Sequence, residues 1–160
     1  MEIEGTPKNK MDELAIKSYK MIKDTFKNKY SQVIKQFYGI EISIIADKDT
    51  NKILSETPTT NFLLSLPIPP KRNPSLVDCI DLYTTNEVME GDNKWHDDKT
   101  DTYLEVNKTI RFFSLPDTLI IDLKRFGSNL RKNNVLVNYP LTDLDMSPYV
   151  IGYKRSSYKY

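Results

Sequence analysis

The chain has 160 residues, 23 basic and 22 acidic, a formal net charge of +1, and a single cysteine. That length suits one domain burying roughly 70% of the surface its unfolded chain exposes, and near-neutral charge with lysines interspersed among acids excludes a nucleic-acid-binding signature. No apolar run approaches the ~20 residues of a membrane span, the charged N-terminus has no signal-peptide core, and one cysteine forbids an internal disulfide and fits a reducing, intracellular compartment, cytoplasm or nucleus.

Residues 1–10 read as an extended polar arm with a turn at Pro7. A helix is predicted from Asp12. Met11, Leu14, Ala15, Ile22, Phe26, Tyr30, Val33 and Phe37 recur at three- and four-residue steps, with lysines on the opposite face. Residues 28–30 form a candidate break, Ser31 a cap for a second helix over 32–38, and Gly39 its C-terminal cap. A lysine-rich amphipathic helix suits a membrane surface or a protein core; the strands that follow favour the core. Ile40, Ile42 and Ile44 alternate with Glu41 and Ser43, a half-buried strand, and residues 47–51 are a hairpin tip. Residues 61–66 read as the next strand. Pro67, Pro69 and Pro70 end it, either as a stiff exit or as a polyproline recognition segment. Pro74 and Ser75 start a short helix with Leu76, Cys79, Ile80 and Tyr83 inward and Asp78 and Asp81 outward.

Residues 110–140 hold the densest apolar run. Pro116 and Asp117 break it with a turn. Bulky and β-branched residues over 118–126 predict a strand buried on both faces, Ile121 and Leu123 included. Residues 127–134 read as an exposed basic loop. Val135, Leu136 and Val137 form a return strand stopped by Pro140, so the whole is a hairpin with a polar tip. Taken alone, it is a core hairpin with a solvated turn.

Cys79 is the sole candidate thiol nucleophile, and His96 the sole histidine. A nucleophilic cysteine needs a lowered pKa from a helix N-terminus or a paired histidine. Cys79 sits on the core face of its helix, which makes it a structural residue, and His96 falls in a polar turn; the two do not read as a dyad.

A series of motifs resembles the ubiquitin-specific proteases. It comprises Phe37 and Gly39; Glu87 with Gly91-Asp92-Asn93-Lys94-Trp95; Leu115-Pro116; Leu123-Lys124-Arg125-Phe126; Lys132; Val137; Tyr139-Pro140; and Leu144-Asp145-Met146. The series runs from about Tyr30 to the last residue, with Trp95 where the family usually has tyrosine. The resemblance implies an α+β fold: N-terminal helices, then an elongated, mostly antiparallel sheet with one short inserted helix. Residues 1–160 would be a single partial domain, with a helical segment at 10–38, fingers-like strands and the short helix at 39–113, and palm-like strands at 114–160.

The family's activity is a thiol isopeptidase reaction, in which a cysteine thiolate attacks the carbonyl after ubiquitin's C-terminal glycine and a histidine shuttles the proton. Neither the family's Asn-x-Gly-x-x-Cys box nor its Gly-His-Tyr box occurs here, so no catalytic residue is assigned and the chain is expected to be inactive alone. The implied partner is ubiquitin or a ubiquitinated protein, not nucleic acid or membrane. Lys124, Arg125 and Phe126 would form one wall of the groove for ubiquitin's tail, and Gly127, Ser128, Asn129 and Lys132 would belong to the loop that covers it; a plain solvated turn is the alternative. Many members carry a fingertip zinc on two Cys-x-x-Cys pairs. The corresponding positions are Lys48, Asn51, Asp97 and Thr100, only one of them a possible ligand, so no metal and no other cofactor is expected. The rival readings are an inactive ubiquitin-binding or scaffolding module, and a structural domain unrelated to ubiquitin.

Overall fold

A computed structural model describes residues 6–27, 29, 31–127, 131–154 and 158–160. The first helix, α1 (Lys10–Phe26), begins before Asp12 instead of after it. The Asn9 side chain accepts from the Asp12 amide at 2.9 Å, which makes Asn9 the cap and Asp12 a first-turn residue. Asp12 and Glu13 at its N-terminus and Lys23 in its last turn complement the helix dipole. After it comes α2 (Gln32–Phe37), with Ser31 at the N-cap position. Tyr38 closes α2, its amide donating to the Ile34 carbonyl, so the expectation that Gly39 caps the helix is wrong. Gly39 opens the next strand instead. A Cβ there would lie 2.8 Å from the Ser114 carbonyl oxygen, so close backbone approach explains the glycine.

The first strand, β1 (Gly39–Asp47), and the second, β2 (Ile53–Asn61), form the expected hairpin. Its tip is held by Asp47 Oδ1, which accepts from the Thr50 amide at 2.8 Å, while Asn51 takes the left-handed φ of 55° that the turn requires. The single strand expected over 61–66 is two elements. β2 ends at Asn61 and β3 (Leu64–Pro67) enters a different sheet, so Phe62 and Leu63 make the corner. Next comes α3 (Leu76–Thr84). A reciprocal capping box starts it: Ser75 Oγ accepts from the Asp78 amide at 3.1 Å, and Asp78 Oδ2 accepts from the Ser75 amide at 2.7 Å. The chain continues through β4 (Glu87–Met89), a 3-10 turn (Gly91–Asn93), β5 (Trp95–Asp97), β6 (Thr102–Leu104), β7 (Val106–Ser114), β8 (Ile121–Lys124) and a second 3-10 turn (Ser147–Tyr149).

Four strands make an antiparallel sheet in the order β2-β1-β7-β4; β5 and β6 form a separate hairpin, and β3 and β8 a parallel pair. The fold is therefore the expected α+β. No helix among the described residues is long and apolar enough to cross a membrane.

Two cores lie around the main sheet. One joins Leu14 and Ala15 of α1 to Ile40, Ile42 and Phe113. The other joins Leu64 and Leu66 of β3, Cys79 and Ile80 of α3, Phe112, Leu115, Leu144, Met146 and Val150. Successive side chains of a strand point to opposite faces, and β7 uses this directly: Phe112 enters one core at 1% exposure and Phe113 the other at 3%. Against Phe112 stacks Tyr83 of α3, whose hydroxyl donates to Glu41 Oε2 at 3.0 Å. Burial, with the nearby Glu41 carboxylate, raises the pKa of Tyr83. Residues 150–152 run along β7, with the Ile151 amide donating to the Phe112 carbonyl at 2.8 Å. Gly152 fits there because a Cβ would overlap the Phe113 carbonyl oxygen.

The hairpin expected over 118–137 is reduced to an isolated antiparallel bridge between Phe126 and Lys132. Among the described residues of that stretch only Ile121–Lys124 is strand, and it pairs in parallel with β3, not with a return strand. The Thr118 amide donates to the Gln36 carbonyl of α2, and the Ile120 carbonyl accepts from the Leu64 amide at 2.9 Å. Residues 135–137 keep the alternation of a strand, with Val135 and Val137 half-buried and Leu136 exposed, but belong to no sheet. Nor is β8 buried on both faces: Ile121 and Leu123 are half-buried and Asp122 and Lys124 exposed.

Candidate functional site

The site is the end of β8 with the loop after it. Ile121 and Leu123 point back onto the core around Leu64 and Leu66. Asp122 and Lys124 therefore face outward, and Ser65 Oγ donates to Asp122 Oδ2 at 2.9 Å, locking β3 to β8 on the outer side. Phe126, two residues beyond Lys124, is 68% exposed. An aromatic ring left this open just beyond a strand is more informative than an exposed lysine.

Arg125 behaves differently from its neighbours. It is half-buried, and its Nη1 donates to the carbonyls of Asn133 at 3.0 Å and Val135 at 2.8 Å. The Asn133 amide donates back to the Arg125 carbonyl at 2.6 Å. Gly127 and Lys132 are exposed; the Gly127 amide donates to the Arg131 carbonyl at 3.4 Å, and Phe126 forms an isolated antiparallel bridge with Lys132. Ser128 and Asn129, expected in the loop, lie outside the described residues. The returning chain is then fixed to α3: the Leu76 amide donates to the Asn138 carbonyl at 2.7 Å and the Asn138 amide to the Pro74 carbonyl at 2.9 Å. Lys124, Phe126, Gly127 and Lys132 thus come together at one loop base, while Arg125 faces the protein. The carbonyls of Asn133 and Val135 and the anchor at Asn138 escaped sequence reasoning because backbone acceptors carry no side-chain signal. Further exposed apolar residues lie on the returning chain, with Leu136 at 81%, Tyr139 at 67% and Leu141 at 89%.

Cys79 is fully buried in the core, and burial pushes its thiol pKa up, against a smaller opposing pull from Arg125. Such a thiol is a poor nucleophile. His96 is not in a turn but in β5. Its Nδ1 lies 3.0 Å from Asp98 Oδ1, its Nε2 3.1 Å from Asp101 Oδ1, and its ring packs on Tyr103. All three partners belong to its own hairpin. The four fingertip positions do not fit a zinc ion. Lys48 is a cation paired with Glu90 and Glu105, Asn51 forms a turn, and Asp97 is occupied by the Lys99 amide and the Thr100 hydroxyl. Among the described residues, no group of three or more His, Cys, Asp or Glu side chains could hold a metal.

The family model for ubiquitin carboxyl-terminal hydrolases matches residues 8–160. Ubiquitin carboxyl-terminal hydrolase 5 of Saccharomyces cerevisiae is 37% identical over 95 residues, 59% of this chain and 12% of its own length. Ubiquitin carboxyl-terminal hydrolase 15 of Rattus norvegicus is 38% identical over 88 residues, 52% of this chain and 9% of its own. A probable ubiquitin carboxyl-terminal hydrolase of Acanthamoeba polyphaga mimivirus is 28% identical over 144 residues, 87% of this chain and 31% of its own. The chain thus spans less than a third of the length of each of these relatives. Among solved structures, the SAGA DUB module of Ubp8, Sgf11, Sus1 and Sgf73 bound to monoubiquitin aligns with a TM-score of 0.64 and 25% identity, over 76% of this chain and 28% of the matched one. With the motif series, the α+β fold and these matches in agreement, the chain belongs to the ubiquitin carboxyl-terminal hydrolase family, as part of a ubiquitin-specific protease catalytic domain.

Proposed function

We propose that this chain is the ubiquitin-recognising part of a thiol-dependent deubiquitinase, with residues 39–113 as fingers, 114–160 as part of the palm, and the helices of 10–38 bracing both. Its partner is ubiquitin or a ubiquitinated protein inside the cell, in cytoplasm or nucleus, not nucleic acid or membrane. The observation that carries this reading is the outward wall of Lys124 and Phe126 at the end of β8, flanked by Gly127 and Lys132. The solved structure with a matching fold holds monoubiquitin. Ser128 and Asn129 would complete the loop. Phe126 is the anchor, because a desolvated aromatic outweighs an exposed charge at an interface.

A chemical-shift titration of labelled ubiquitin tests this. Wild type is expected to bind with a dissociation constant nearer ~100 μM than ~1 μM, because a partial interface still bears the entropic cost of association. Phe126→Ala should weaken it markedly. No shifts at millimolar protein would remove the reading.

A second reading is a module that binds ubiquitin without cleaving it; the buried Cys79 thiol and a histidine whose hydrogen bonds stay within its own hairpin are consistent with both readings. On either reading the chain alone should give only background hydrolysis of a fluorogenic ubiquitin C-terminal substrate. Turnover abolished by Cys79→Ala would overturn the structural role of that thiol.

A further inference from the structure

The geometry points to Arg125 as a positioning residue: its guanidinium closes the base of the loop between Phe126 and Val135 and so holds Phe126 outward. What Phe126 then meets rests on the ubiquitin reading above; the closure itself rests on the bonds. Residue 125 exchanges three hydrogen bonds with residues 133 and 135, two from Nη1 to the Asn133 and Val135 carbonyls and one back from the Asn133 amide to its own carbonyl. The side chain lies on the protein side of the strand, half-buried, and its charge is felt at the Cys79 thiol of α3. Lys124 and Phe126, one residue either side, are exposed, as strand alternation requires.

The acceptors are neutral carbonyls, so this is not an ion pair whose strength follows a partner's protonation. A charge-assisted donor shared by two carbonyls forms a strong, geometrically specific tie, and guanidinium stays charged at every accessible pH. Without it the two carbonyls lose a donor, and the backbone bonds left across the base are the one from the Asn133 amide to the Arg125 carbonyl and the longer one, 3.4 Å, from the Gly127 amide to the Arg131 carbonyl. Phe126, covalently next to the clasp, would then sample many orientations. A lysine cannot substitute faithfully, because its ammonium is a compact point charge lacking the planar fork.

The test combines amide hydrogen exchange with ubiquitin titration, on the full chain, for wild type, Arg125→Ala, Arg125→Lys, Phe126→Ala and the double variant Arg125→Ala/Phe126→Ala. In Arg125→Ala the Asn133 amide should exchange about tenfold faster or more, while amides of the β1–β7 ladder, such as Ile42, keep their protection; a tenfold change is an ordinary consequence of losing one charged bond. Arg125→Lys should fall between. If Arg125→Ala lowers protection throughout, Arg125→Lys, which keeps the charge, supplies the exchange comparison. In the titration, Arg125→Ala should weaken ubiquitin binding in wild type but add little once Phe126 is alanine, the non-additivity of residues acting as one unit. Unchanged Asn133 exchange in both Arg125 variants would overturn the positioning role, and so would additive losses in the double variant, which would mean that Arg125 contacts ubiquitin itself. If wild type binds no ubiquitin, the ubiquitin reading fails, and Asn133 exchange alone decides the clasp.

Discussion

The β1–β2–β7 ladder and the β3–β8 pair are built from similar residue types but held in different ways. The ladder is long and antiparallel. β1 pairs from Gly39 to Ala46 with β2 and from Ile40 to Asp47 with β7, and α1 covers it through Leu14 and Ala15. The β3–β8 pair is four residues long and parallel. A two-stranded ribbon of that length has little stability of its own. It depends on what lies behind it, Cys79 and Ile80 of α3 and Met146 of the returning chain, and on side-chain ties such as Ser65 to Asp122 and Arg125 to Asn133 and Val135. The first region is stabilised by ladder and burial together. The second is placed by contacts from elsewhere, and it is there that the candidate site lies.

Truncating one core residue in each region should expose that difference most clearly. Phe112→Ala removes a side chain 1% exposed and should cost about 3–5 kcal/mol, the range for a large aromatic leaving a cavity. Leu123→Ala, in half-buried β8, should cost about 1–2 kcal/mol, since only part of its surface leaves water on folding. Urea midpoints measure both, and equal costs would erase the distinction. An effect smaller than that of Phe112→Ala is expected where residues 150–152 run along β7. Gly152→Ala drives a methyl into the Phe113 carbonyl and should cost about 1–3 kcal/mol, the usual range for overpacking. A neutral result would show that the 150–152 segment does not press on β7.

The smallest effect concerns acid. Lys71 and the Ser75 amide and hydroxyl bind the Asp78 carboxylate and hold its pKa well below the ordinary 3.8. A carboxylate depressed on folding stabilises the fold above its unfolded value and loses that contribution as pH falls through the folded one. Between pH 5 and pH 2, wild type should therefore lose more stability than Asp78→Asn. Parallel pH profiles would remove the α3 cap as a source of acid sensitivity.

Legibility from the sequence followed the same divide. The alternation of Ile40, Ile42 and Ile44 gave strand and turn correctly, and Pro74-Ser75 gave the start of α3, because both depend on neighbours in the chain. Cys79 was rightly placed in the core for the same reason. The partner of β8 was missed. The nearest apolar run, at Val135 to Val137, resembles a return strand, but the Val135 carbonyl is taken by Arg125, the next residue, Asn138, is tied to the Pro74–Leu76 entry to α3, and β3 takes the pairing from more than fifty residues upstream. Periodicity cannot weigh a parallel partner that distant. At the site, the sequence groups the series from Lys124 to Phe126 together. It was read as one surface, and the inward turn of Arg125 was not foreseen, since Asn133 and Val135 contribute carbonyls that every residue possesses.

Phe112 and Phe113 are consecutive, yet each is embedded in a different core. Rearranging one core displaces the β7 backbone that anchors the other, which couples their unfolding. The chain should therefore lose its helical circular dichroism and its aromatic near-ultraviolet signal in one coincident transition. The short β3–β8 ribbon, which would be a site of independent fraying in isolation, inherits through Phe112 the unfolding free energy of the whole sheet.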